Sequence, residues 1–358
     1  MTFTPFYQTE LDALPITLDL APRPSPLTPE ALLALTARLS RFYQAMLADQ
    51  PAAAPEYQPG GEWKNYNDEK SFLYAKLAAG DAAGAAPLLA EFWRNQLGLI
   101  VKEYAKFESL ATDDAEIAAP FLRSIGRNFL IWQDLFHLPV ERLRIATTAG
   151  NPWGCTIAGE LVTPKATRFH ATALQLHNLT RHLARPVVAE IGGGYGGMVP
   201  YFFRESTAAT YIDFDLPETL VLHAFHVLNA LPDRRIFLYG EAPLTAQSVA
   251  ENDILLLPNY ALPAFAEKSI DVFYNSFSLS EMPFAVMDNY LAQIRRLTRT
   301  HFLHNNMDRQ GVVNRGFART PASQYPMEKH GFRLLSSHYD LFHAHFGDYK
   351  EYLYAIGA

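Results

Sequence analysis

The sequence predicts an α/β protein in which a largely parallel sheet follows an all-helical N-terminal region. Three observations predict it. Residues 28–145 carry amphipathic stretches at three-and-four spacing without strand alternation. From residue 187 onward, short apolar runs alternate with helical stretches. Where the patterns meet, Val187-Val188-Ala189-Glu190-Ile191 runs into Gly192-Gly193-Gly194-Tyr195-Gly196-Gly197, a buried strand entering a glycine turn.

Composition bounds the function classes. The 358 residues are 49% hydrophobic and 19% charged, which suits two domains or one domain with an extension. Net charge is −7 and no basic run reaches five residues, which argues against nucleic acid and anionic membranes as partners. A single cysteine, Cys155, excludes an internal disulfide framework and fits a reducing compartment. Met1–Pro5 lacks the basic and apolar regions of a secretory signal, and no uncharged apolar run is long enough to span a bilayer. The expectation is a soluble, cytoplasmic protein.

Residues 1–27, rich in proline, read as an extended surface arm. Thr28-Pro29-Glu30 then offers an N-cap with proline at the first helical position, ahead of an apolar stripe through Leu32, Leu35, Leu39, Phe42 and Met46. After a loop containing Pro51, Pro55, Pro59, Gly60 and Gly61, a second helix is expected near Glu62. A third should carry Leu89, Phe92, Leu97, Ile100, Tyr104 and Phe107, and a fourth Leu122, Ile125, Phe129, Trp132 and Phe136. Residues 28–145 thus form an expected helical domain, and residues 146–358 the domain built on the sheet. Strands are expected at Val187–Ile191, Thr210–Phe214, Arg235–Tyr239, Asp253–Leu257, Asp271–Tyr274 and His301–His304. Either the Arg235 or the Asp253 segment can be the third strand of the standard order. Phe332–Ser336 and Tyr349–Tyr354 suit an antiparallel C-terminal hairpin at a sheet edge.

In open α/β sheets the ligand lies beyond the carboxyl ends of the strands. Gly192, Gly194 and Gly197 satisfy a dinucleotide fingerprint, whereas Glu190, Gly192, Gly194 and Gly196 satisfy an acid-x-Gly-x-Gly-x-Gly pattern. The second pattern resembles motif I of class I S-adenosylmethionine-dependent methyltransferases. A pyrophosphate favours open helix amides, but S-adenosylmethionine carries an ammonium and a sulfonium, for which a carboxylate at the strand end is physically sensible. Glu190 therefore favours methyl transfer over hydride transfer. Asp215, in Asp213-Phe214-Asp215-Leu216-Pro217, can accept both ribose hydroxyls or simply cap the next helix. Asn259, after Leu256-Leu257-Pro258, either pairs with the adenine edge or forms a turn beside the proline. Asn275 ends a central strand, where polar side chains would sit near the transferred methyl.

Tyr274-Asn275-Ser276-Phe277-Ser278-Leu279-Ser280-Glu281-Met282-Pro283, together with Gly150-Asn151-Pro152-Trp153, the Glu190–Gly197 run and Asp215-Leu216-Pro217-Glu218, resembles the sugar O-methyltransferase family. The resemblance implies a Rossmann-like class I methyltransferase sheet with helices on both faces, S-adenosylmethionine as cofactor, and a sugar hydroxyl as acceptor on a nucleotide sugar, glycolipid or glycosylated natural product. A sugar hydroxyl has a high pKa, so a base within reach is expected. Glu281 occupies the slot where related O-methyltransferases place a His-Asp pair, and His304 is the second candidate; both also read as structural residues. Trp153, Arg168, His170 and Ser278 are positional candidates for acceptor binding. His338, His343 and His345 with Asp340 and Asp348 match no zinc spacing, so no metal is expected. A non-sugar acceptor methylated at oxygen or nitrogen, or an inactive module binding a partner through its helices, are the alternatives. A homo-oligomer through the helical domain is compatible with this reading.

Overall fold

The computed structural model describes residues 7–60, 62–95, 97, 107–112, 115–314, 316–343 and 347–357. Within the stretch expected as an extended arm, α1 (Gln8–Ala13) precedes β1 (Ile16–Asp19). β1 pairs antiparallel with β2 (Gly154–Ile157), which pairs with β3 (Glu160–Val162). This small sheet joins residues far apart in sequence and has no local signal.

The helices follow the apolar stripes. α2 (Pro29–Asp49) starts as expected, Thr28 Oγ1 accepting the Ala31 N–H at 3.2 Å, and buries Leu39, Phe42 and Met46. α3 (Trp63–Glu69), α4 (Ser71–Ala78) and α5 (Ala82–Ala90) come next. The helix expected through Leu89 and Phe107 stops after Ala90, because the Trp93 N–H and its indole Nε1 turn to the carbonyls of Gly150 and Ala149, each at 3.0 Å. Ile100 and Tyr104 of that stripe lie outside the described residues. α6 (Phe107–Leu110) and α7 (Ala115–Phe136) follow, α7 carrying the expected Ile125–Phe129–Trp132 stripe into the core.

α8 (Ala166–Thr180) leads into the main sheet. Its strands are β4 (Val187–Ile191), β5 (Thr210–Asp215), β6 (Ile236–Leu238), β7 (Ile254–Pro258), β8 (Ile270–Ser276) and β9 (Thr298–Met307), with α9 (Val199–Glu205), α10 (Pro217–Ala230), α11 (Ala246–Glu251) and α12 (Phe284–Leu297) between them. A two-residue ladder, β10 (Val313–Asn314) with β11 (Phe317–Ala318), precedes β12 (Phe332–Tyr339) and β13 (Tyr349–Ile356). The eight strands lie in the order β12-β13-β9-β8-β4-β5-β7-β6. From β9 to β6 all neighbours are parallel, while β13 is antiparallel to both β9 and β12. This is the expected Rossmann-like parallel sheet, with its antiparallel C-terminal pair at one edge. Both disputed segments are strands; the Asp253 segment pairs with β5, and the Arg235 segment is the outer edge.

Strand alternation divides the core. Val188, Tyr211, Leu256 and Val272 face a cluster shared with α2, α4, α5, α7 and α8. Ala189, Ile212, Leu255 and Phe273 face a second cluster built with α12. Among the described residues, no helix is long and apolar enough to cross a membrane.

Candidate functional site

The glycine turn after β4 is wired to the end of β5. The Gly192 N–H donates to the Phe214 carbonyl at 3.0 Å, the Gly193 N–H to Asp213 Oδ1 at 3.0 Å, and the Gly194 N–H to Asp215 Oδ2 at 3.1 Å. Three successive amides, two of them on carboxyl groups, are thereby consumed within the protein. Gly192 and Gly196 take φ of +80° and +78°, which favours glycine at both. A Cβ at Gly192 would strike the Ser278 hydroxyl, and one at Gly196 the ring of His223.

Glu190 stands directly beside Asp213 in the β4–β5 ladder, and Asp215 follows two residues later on the same face. All three side chains are buried. Burial raises the pKa of each well above the usual carboxylate range, Asp213 reaching about 8, and the Asp213 charge raises Glu190 and Asp215 further. Glu190 accepts a hydrogen bond from the Tyr211 hydroxyl. It belongs to a buried polar layer behind the turn and does not line the cavity described next.

That cavity opens beyond the carboxyl ends of β4, β5 and β7 and encloses about 490 Å³, counted to its open mouth. Its floor is Ile191, Gly192, Phe214, Asp215 and Leu216. One wall comes from the start of α12, with Met282, Pro283, Val286 and Tyr290, and the facing wall from the N-terminal region, with Glu56, Gln58, Gly60 and Trp63. Asn259 and Ser278 complete the lining. Of the residues proposed from sequence, the cavity thus collects Gly192, Asp215, Asn259 and Ser278. Gly194 and Gly196 shape the turn behind it.

Asp215 is not the cap of α10: Leu216 occupies that position, and the carboxyl group holds the Leu216 N–H at 2.7 Å as well as Gly194. Asn259 Nδ2 donates to the Tyr57 carbonyl and to the Tyr290 hydroxyl, both at 2.9 Å. A carbonyl can only accept, so the amide orientation follows, and the buried Oδ1 is left without a hydrogen-bond partner among the described residues.

Asn275 and Ser278 lock the strand ends together. Asn275 Nδ2 donates to the Ile191 carbonyl at 2.7 Å and to Ser278 Oγ at 2.6 Å, while its Oδ1 accepts from Asn306 at 2.8 Å. His304 lies one step beyond in that network, its Nδ1 3.3 Å from Asn306 Nδ2. Its ring is fully buried against Tyr352 and Tyr354, and burial pushes its pKa down to about 3. Glu281 lies beside the cavity residue Met282, and its carboxylate accepts from Arg319 at 3.2 Å. The same guanidinium grips the buried Glu62 at 2.5 and 2.7 Å, just ahead of α3.

The remaining acceptor candidates sit elsewhere. Trp153 is in the core, its indole donating to the Trp93 carbonyl at 3.2 Å. His170 is buried and satisfied at both nitrogens, by Trp132 Nε1 and Glu205 Oε1, each at 3.0 Å. Arg168 stacks over Phe277 at 3.9 Å and donates to Ser276 Oγ at 2.6 Å. Phe277 itself holds a positive φ of 71°, a strained turn immediately after β8. Tyr57, Trp63 and Tyr290 were not anticipated from sequence; the one local sign for the first two was the Pro- and Gly-rich loop around residues 55–61. His345 lies outside the described residues.

No protein-family model matches this chain, and no curated protein matches it. Among solved structures it is similar to a Galdieria sulphuraria protein assigned as a sarcosine dimethylglycine methyltransferase (10% identity, TM-score 0.39, 54% of this chain and 86% of that one). It is similar also to the magnesium protoporphyrin IX methyltransferase of Synechocystis PCC 6803 with bound S-adenosylmethionine (13%, 0.35, 53% and 77%). A third is the cyclase SpnF (14%, 0.38, 53% and 81%). These names include methyltransferases and a cyclase, so the functional reading rests on this chain's own residues.

Proposed function

We propose that this protein binds S-adenosylmethionine and methylates a sugar hydroxyl. The observation that carries the cofactor assignment is the loss of the Gly192, Gly193 and Gly194 amides to Phe214, Asp213 and Asp215. A dinucleotide turn keeps such amides open for pyrophosphate. Here an incoming pyrophosphate would meet spent donors and acidic side chains, whereas a nucleoside carrying a cationic amino-acid tail meets acceptors.

The donor set fits that ligand. Asp215 retains lone pairs for a ribose diol, Asn259 Oδ1 is an acceptor for an exocyclic amine, and Phe214, Leu216, Met282 and Val286 offer apolar surface to a purine. The bound cofactor supplies an activated methyl group; the protein's task is to orient the acceptor oxygen and remove its proton. Glu281 is our candidate for that proton, and release from Arg319 would free its carboxylate to accept it. The sugar assignment rests on the sequence resemblance alone. The ion pair on Glu281 and the neutral, stacked His304 favour one second reading, an acceptor that needs no strong base, such as a non-sugar amine.

Calorimetric titration with S-adenosylhomocysteine and with NADH tests the cofactor: binding of the first alone is expected, and binding of NADH alone would overturn the proposal. A methylation screen over a sugar and glycoside panel with mass detection tests the acceptor. Methylated amines with unmodified sugars would leave the second reading standing instead.

A further inference from the structure

Asp213 does not line the cavity, yet it is tied to the turn that does. Its Oδ1 accepts the Gly193 N–H at 3.0 Å, and its Oδ2 lies 2.7 Å from His223 Nδ1 on α10, both side chains being wholly buried. The His223 ring lies directly under Gly196, where any Cβ would collide with it, and its Nε2 has no hydrogen-bond partner among the described residues. One turn further along α10, the ring of His226 packs edge-on against Tyr195, the residue between Gly194 and Gly196. Burial holds His223 uncharged, so the 2.7 Å contact joins a neutral ring to a carboxyl group.

From this geometry we infer that Asp213 and His223 are a positioning pair for the cofactor turn, setting Gly193 and Gly196 from behind without touching the ligand. Gly192, which lines the cavity, packs against Ser278 and directly precedes Gly193, the residue that Asp213 holds. The turn is therefore placed by α10 as much as by β4. The inference deepens the S-adenosylmethionine reading and rests on it for the identity of the ligand.

The test uses the full chain and the variants Asp213→Ala, Asp213→Asn and His223→Phe. Glycine-selective ¹⁵N spectra of the ligand-free protein read the turn, S-adenosylhomocysteine titration reads affinity, and thermal melts report folding. Asp213→Ala should shift the Gly193 and Gly196 resonances and weaken affinity by about tenfold or more. Asp213→Asn keeps an acceptor for Gly193 and can donate to the His223 ring, so its affinity should lie within about threefold of the parent. His223→Phe should fall between them. Unmoved turn resonances in Asp213→Ala, or affinity lost only in proportion to the folded fraction, would overturn the pair's role. A parent protein that binds no S-adenosylhomocysteine would instead sink the cofactor reading, while the ligand-free spectra still report on the pair.

Discussion

Asn259 Nδ2 lies 2.9 Å from the backbone carbonyl of Tyr57, and that contact decides which way the amide faces. A residue of the N-terminal region thus orients a side chain at the end of β7. The outcome is one buried acceptor, Oδ1, with no partner among the described residues.

Asn259→Ala removes that acceptor. Affinity for S-adenosylhomocysteine should fall about tenfold, near 1.4 kcal/mol, by calorimetry. Asn259→Asp should do worse, because it sets a carboxylate oxygen against the Tyr57 carbonyl. Parent-like affinity in both variants would remove Asn259 from the site.

Two glycines separate backbone strain from collision. Gly159→Ala has open space around the new methyl and only the strain of φ +87°, about 1–2 kcal/mol. Gly196→Ala adds the clash with His223, for a total of roughly 2–4 kcal/mol, and should also weaken cofactor binding. Urea unfolding of both variants beside the parent measures the difference; equal losses would mean that His223 yields freely.

Buried neutral histidines should make the fold acid-sensitive. Burial pushes His223, His226 and His304 down to about 3, below their unfolded value near 6.5. Below pH 6.5 the unfolded chain takes up protons that the folded chain refuses. Their stabilisation is therefore complete above pH 6.5 and is lost as pH falls toward 3, at up to about 1.4 kcal/mol per pH unit for each ring. His304→Phe keeps an aromatic ring against Tyr352 and Tyr354 and removes one such group, so its stability should decline less steeply from pH 6.5 to 4. Parallel curves for parent and variant would refute the assignment.

Arg319 bridges two carboxylates, Glu62 and Glu281, and only 8% of its side chain is exposed. Arg319→Met leaves the buried Glu62 charge uncompensated and should cost about 3–5 kcal/mol in denaturant unfolding. Arg319→Lys should recover only part, because an ammonium cannot reproduce the two-pronged grip of Arg319 on Glu62. A loss below about 1 kcal/mol in the Met variant would show that Glu62 finds another partner.

Elements whose causes are local are legible in the sequence. Thr28-Pro29 started α2, the stripe through Trp132 made α7, and the glycine run ended β4, because capping, periodicity and turn conformation depend on residues a few positions apart. It also marked Gly192, Asp215, Asn259 and Ser278, which the cavity gathers, since strand ends can be read from apolar runs. Where the other side chains stand depends on packing between distant segments. Glu190 and Asp215 share one face of the sheet, yet one is bonded to Tyr211 in a buried layer and the other reaches the cavity. His304 reads in sequence as a candidate base and His170 as an acceptor-binding candidate, yet Tyr352 and Tyr354 pack on the first, and Trp132 and Glu205 bond both nitrogens of the second. The wall made by Glu56, Gln58 and Trp63 needed the packing of α2 on α10, a contact between residues nearly two hundred positions apart. Which polar group faces ligand and which faces core is set by such long-range neighbours, and no short window of sequence contains them.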